Sequence, residues 1–242
     1  STAAWRRGHR DRCRPAARPV TEAWCGRHGG GREAFNRAAE LTLALTIPAS
    51  VALIAIPVPL VSVLFERGAF TTDDTAATAL AVAVYGLGLP AFVLQKVLQP
   101  LYFAREDTKR PFYFAVVAML INAALSVGLA SVIGYLGAAF GTTLAAWAMV
   151  VLLWLGSRGM GDAAVLDTRF RRRLWRIIVA SIVMGIVVWW LAAAMTLLLG
   201  APTIRYLALA VLIVVGIVTY FGVGQLLGAF HISEFRRAMR RG

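Results

Sequence analysis

Apolar residues run along this chain in six long stretches separated by short polar knots. Each stretch is close to the ~20 residues that a helix needs to cross a ~30 Å hydrocarbon layer. They cover about Leu41–Phe65, Thr75–Ala104, Pro111–Gly134, Ala138–Leu155, Leu174–Leu199 and Ile204–Phe230. Between Pro111 and Ser157 there is no Asp, Glu, Lys or Arg, a run too long for one soluble core helix and long enough for two spans. The predicted fold class is therefore all-α, a polytopic membrane protein of six transmembrane helices. Pro48, Pro57 and Pro59 should bend or partly unwind the first span. Thr72 or Asp73 is placed to cap the second, and Pro111 falls in the first turn of the third, where a missing donor costs nothing. Asn122 and Ser126 share a face of the third span. Thr142 and Thr143 lie one turn into the fourth from the opposite side, so the two pairs could meet. Gly224 and Gly228 form a small-xxx-small pair that would let another helix approach the sixth span.

The second span departs most from plain lipid-facing sequence. Tyr85, Gly88, Phe92, Gln95, Gln99 and Tyr102 recur at alternating intervals of three and four, so polar and aromatic groups share one helix face. Pro90 and Pro100 remove the usual partners of the Gly86 and Lys96 carbonyls, which in lipid must find another donor or face water. Lys96 stands nine residues before Arg105, ~13 Å from the aqueous turn at ~1.5 Å per residue. Snorkelling covers only part of that depth, so the charge points to a polar interior or a partner on another span. Gln95, Lys96, Gln99 and Tyr102 are accordingly the candidate cavity residues, lining a route for a polar cargo.

Charge settles the orientation and removes one class of partner. The chain carries 25 Lys and Arg against 12 Asp and Glu, net +13, yet 59% of it is hydrophobic and its mean hydropathy is +0.70. With six spans, all but three of the basic residues fall on one side: Arg67 and Arg205 lie on the other, and Lys96 lies within a span. That is the positive-inside pattern, which places both termini in the cytoplasm and calls for no nucleic acid partner. Residues 1–33, with eight arginines and a glycine run, read as a basic disordered arm or the product of a wrong reading frame. Residues 34–157 hold four spans, 158–173 a basic cytoplasmic loop, and 174–242 two further spans and a basic tail. Arg169–Arg176 is most simply an anchor beside anionic headgroups. His9, Cys13, Cys25 and His28 have only a loose zinc-like spacing with no fold to hold it, so no metal is expected. With no acid/base pair or nucleotide loop either, the chain is not expected to be an enzyme.

Three stretches carry a resemblance: LFERGAFTTDDT after the first span, KVLQPLYFAREDTKRP through the second, and INAALSVGL with GAAFGTTLAAW across the third and fourth. Together they resemble the MurJ/MviN family of lipid II flippases, within the multidrug, oligosaccharidyl-lipid and polysaccharide exporter superfamily. The resemblance runs from about Glu33 to Arg241. It implies fourteen helices in two lobes, of which this chain supplies the last six, with the missing N-terminal spans as its partner. It also implies a bacterial cytoplasmic (inner) membrane location and a cargo of lipid II or a similar undecaprenyl-pyrophosphate-linked saccharide, moved by alternating access. The family's pyrophosphate-holding residues belong to spans that this chain lacks. Some members bind sodium, and their Asn and Thr match Asn122 and Thr142, with a carbonyl from near Ala138. The acidic residue one turn after the Asn is Ser126 here. Coupling to Na+ or to the membrane potential is thereby an expectation, with no other cofactor. An exporter of another polyprenyl-linked oligosaccharide and a non-transporting scaffold subunit are the alternatives.

Overall fold

The computed structural model describes residues 19–66, 70–158, 168–200 and 204–228. Its helices are α1 (Pro19–Ala55), α2 (Pro57–Phe65), α3 (Thr72–Phe103), α4 (Lys109–Ile133), α5 (Leu136–Ser157), α6 (Thr168–Ala194), α7 (Thr196–Gly200) and α8 (Arg205–Leu226). Six of them are long and apolar enough to cross a membrane, matching the predicted spans. Residues 1–18, the 159–167 part of the basic loop and the tail from 229 lie outside the described residues. The helix α1 starts at Pro19, inside the stretch expected to be disordered; a proline is well tolerated at a helix's first position.

Proline placement decides where the first span breaks. Ile56 leaves the helical region, with φ −131° and ψ 46°, and a new helix begins at Pro57. Pro57 and Pro59 occupy the first turn of α2, where their missing N–H groups would be unpaired anyway. Pro48, by contrast, sits inside α1 without breaking it, and so do Pro90 and Pro100 in α3. Two of the carbonyls these prolines release are taken by hydroxyls from neighbouring helices. Tyr220 on α8 donates to the Ala44 carbonyl, freed by Pro48, and Ser50 on α1 donates to the Gly86 carbonyl, freed by Pro90.

Caps and turns then reverse the chain. Thr71, one residue before the predicted cap, forms a capping box with Asp74: its amide donates to the carboxylate at 2.9 Å, and its hydroxyl accepts from the Asp74 amide at 3.3 Å. That geometry needs a side-chain acceptor three positions on, which Thr71 has in Asp74. After α3, Glu106 takes φ 60° to turn the chain tightly, and Asp107 pairs with Arg110 at 3.1 Å.

Small residues set the closest approach. Gly134 at φ 63° ends α4, and α5 returns against it. A Cβ added at Gly137 would lie 2.5 Å from the Ala130 nitrogen, and one at Gly141 would lie 2.9 Å from the Ser126 nitrogen. Glycine lets the two backbones meet here, as small residues do where helices cross in lipid. Gly216 on α8 leaves room instead for a side chain, the Val188 methyl of α6. Gly228, expected to serve helix approach, instead stands past the end of α8 at φ 66°, and its carbonyl accepts from Arg176 at 2.9 Å. A left-handed glycine after the last helical turn is a helix stop, not an interface.

The helices pack as an open row in the order α4, α5, α3, α1, α6, α8. One apolar cluster (Ala180, Met184, Val188, Leu212, Tyr220) joins α6 to α8, and another (Ala91, Leu98, Tyr102, Val150, Leu153) joins α3 to α5. On the basic side an ion pair, Arg173 to Glu40 at 2.9 Å and mostly buried, ties α6 to α1. Few residues of α4 are buried, whereas α5 is buried along much of its length, so α4 forms one end of the row with its outer face uncovered.

Candidate functional site

The polar face of α3 is where a route for cargo is expected, and the structure divides it. Gln95 donates through Nε2 to the Ala146 carbonyl at 2.9 Å, and the buried Tyr102 hydroxyl donates to the Leu153 carbonyl. Reciprocally, Thr143 donates to the Val84 carbonyl and Trp147 to the Leu87 carbonyl, each at 3.1 Å. Contacts that advance together along both helices mean that α3 and α5 run parallel. Gly88 makes room for the approach, because a Cβ there would lie 3.1 Å from the Thr143 hydroxyl. The stripe that reads as a wet face is thus largely the seam with α5. Gln95 and Tyr102 on it each find a backbone carbonyl, since a polar group inside a bundle costs free energy unless it is bonded.

Lys96 lies one residue round the helix, ~100° from Gln95, and escapes the seam. It is exposed, as is Pro100 one turn on, and Gln99 between them is half-buried. The structure therefore separates the four expected cavity residues: Gln95 and Tyr102 hold α5, Lys96 is exposed, and Gln99 is half-buried with an angular position between them. Thr143, expected near the third span, bonds to α3 instead. Ser50 and Tyr220 were missed in the sequence, although the prolines four residues after Ala44 and Gly86 mark the carbonyls that need them.

The expected cation residues form two intrahelical pairs. Ser126 donates to Asn122 Oδ1 at 3.0 Å, and Thr142 donates to the Ala138 carbonyl at 2.8 Å. At this level Ser126 packs against Gly141, one residue before Thr142. Both Asn122 Oδ1 and Thr142 Oγ1 keep acceptor capacity in these pairs. Among the described residues no group of three His, Cys, Asp or Glu could hold a metal ion.

Replacing Tyr102 by phenylalanine tests the seam. It should lower the stability of the detergent-solubilised protein by about 1–2 kcal/mol, because the buried hydroxyl bond is lost. A thermal unfolding curve unchanged by Tyr102→Phe would count against it.

Six apolar helices in an open row, with a proline-broken first span and a cation part-way along the second, define a multi-pass α-helical membrane protein. The row leaves whole helix faces for other spans or lipid. The family model described as "Lipid II flippase MurJ" matches residues 26–209. The "Probable lipid II flippase MurJ" of Rhizobium tropici is 37% identical over 209 residues, 85% of this chain and 39% of the relative. That of Vibrio cholerae is 35% identical over 188 residues, 76% of this chain and 35% of the relative. A solved structure, "Lipid II flippase MurJ, inward closed conformation", superposes with a TM-score of 0.67 at 26% identity, covering 81% of this chain and 39% of that one. The chain belongs to the lipid II flippase MurJ family, and it spans about two-fifths of the length of these relatives.

Proposed function

We propose that this chain is the C-terminal part of a lipid II flippase, the last six of fourteen helices. In the full-length protein it serves translocation of the undecaprenyl-linked peptidoglycan precursor across the bacterial cytoplasmic membrane. The observation that carries this reading is the family match over residues 26–209, which includes every candidate site residue. The open row supports it: one lobe's wall, uncovered on the side of Lys96, is what a two-lobe carrier needs on one flank of its cavity.

The physical task is to carry a charged headgroup past the hydrocarbon while the prenyl chain stays in lipid. No covalent bond changes. An exposed lysine ~13 Å inside the span offers the cargo's phosphates a cation where the alternative is apolar surface. Both termini then lie in the cytoplasm, on the arginine-rich side. A cation bound between Asn122 and Thr142, or the membrane potential, would bias one access state over the other.

Complementation of a flippase-depleted strain is the experiment. The full-length gene should restore growth, and its Lys96→Ala variant should restore it poorly while reaching the membrane at the same level. This chain alone, purified into vesicles, should not flip lipid II, because the opposing lobe is absent. Full rescue by Lys96→Ala would take Lys96 out of the cargo route, and accumulation of a different polyprenyl-linked saccharide on depletion would overturn the assignment.

A further inference from the structure

At the other end of the row, on the side away from the basic loops, a cavity of about 580 Å³ opens between the α1–α2 break, α6, α7 and the start of α8. Its walls at Ile56 and Trp189 are apolar, and Ser62, Glu66, Thr196 and Arg205 add polar groups. A second groove of about 280 Å³ shares Ala55 and Trp189 with it and runs on between α1 and α6 past Val51, Ile54, Ile182 and Gly185. That second lining is apolar throughout. The two adjoin at Ala55 and Trp189, so that the lining changes from polar at the end of the spans to apolar further in, the same order as a lipid in one leaflet.

We propose that this space holds one bilayer phospholipid with an amine headgroup: its phosphate on Arg205, its ammonium on Glu66, and an acyl chain along Trp189 in the α1–α6 groove. The proposal does not depend on the flippase reading.

Arg205 is under-used by the protein. Its buried Nε has no hydrogen-bond partner, and Nη1 reaches the Glu66 carbonyl at only 3.4 Å. Nη2 donates to the Tyr206 hydroxyl at 3.1 Å, and the guanidinium lies 5.1 Å from the centre of that ring. A buried donor without an acceptor is costly, and a planar guanidinium matches the spacing of phosphate oxygens. The Glu66 carboxylate accepts from the Thr75 hydroxyl at 3.4 Å and forms no ion pair with Arg205 among the described residues. The pocket thus presents one cation and one anion separately, which suits a zwitterion better than a purely anionic lipid. Its volume is within the ~300–1,000 Å³ usual for small-ligand sites. A polyprenyl phosphate would satisfy Arg205 and leave Glu66 facing another negative charge.

Native mass spectrometry of the purified chain, titrated with dioleoyl phosphatidylethanolamine, dioleoyl phosphatidylglycerol or undecaprenyl phosphate, tests this. Wild type should retain one phosphatidylethanolamine in preference to phosphatidylglycerol. Arg205→Gln should bind it about tenfold more weakly, the equivalent of ~1.4 kcal/mol. Arg205→Lys should bind more tightly than Arg205→Gln, and Glu66→Gln should erase the headgroup preference. Thermal unfolding of each variant establishes that it is folded, and if Arg205→Gln is not, Glu66→Gln decides. No retained lipid in wild type, unchanged binding by folded Arg205→Gln, or a preference for phosphatidylglycerol or undecaprenyl phosphate would overturn the proposal.

Discussion

Leucine in place of Gly137 should open the α4–α5 hairpin and leave little properly folded protein. The Cβ alone would lie 2.5 Å from the Ala130 nitrogen and 2.7 Å from the Leu129 carbonyl carbon, and both are backbone atoms that no rotamer change can move. Overpacking of flexible side chains costs about 1–3 kcal/mol; here a helix must be displaced, so the cost should lie at or above the top of that range. Because α4 reaches the rest of the row mainly through α5, separating them frees α4 as a whole. The change should appear as a markedly lower yield of monodisperse protein and a lower unfolding temperature. Gly128→Leu is the control, since a Cβ there meets nothing within 4 Å and should be tolerated.

Tyr220→Phe should cost about 1–2 kcal/mol, because it orphans the Ala44 carbonyl inside the membrane. The need for that hydroxyl comes from Pro48, which has no N–H to give the carbonyl four residues back. The two substitutions should therefore be coupled. In a Pro48→Ala background the Ala44 carbonyl regains an intrahelical partner, and the same Tyr220→Phe change should cost well under half as much. A thermal unfolding double-mutant cycle measures the difference. Strict additivity would mean that Tyr220 contributes through ring packing against α6 and not through the carbonyl.

The same pair illustrates what a sequence can and cannot specify. Proline chemistry names the freed acceptors, Ala44 and Gly86, from spacing alone. The donors Tyr220 and Ser50 lie far away along the chain, and only packing brings them there. Periodicity grouped Gln95 and Tyr102 on one face of α3 correctly, yet it carries no information about what covers that face. A helix seam and a wet cavity wall both ask for polar side chains, so α5 was invisible until the helices were placed. Lys96 stands out in the sequence for a different reason: a full charge has few tolerable sites within a span, and in the structure its side chain is exposed. Gly228 was misread because a helix stop and a helix-approach glycine look alike in sequence, and the sign of φ decides between them.

The account turns on which part of α3 meets water in the full-length carrier. Single cysteines at Lys96, Gln99 and Gln95 in an otherwise cysteine-free full-length protein, exposed to a membrane-impermeant maleimide in intact cells and in inverted vesicles, measure it directly. Labelling at positions 96 and 99 from at least one side, with position 95 protected by α5, is the predicted result. Protection of position 96 from both sides would mean that no aqueous path runs along this helix.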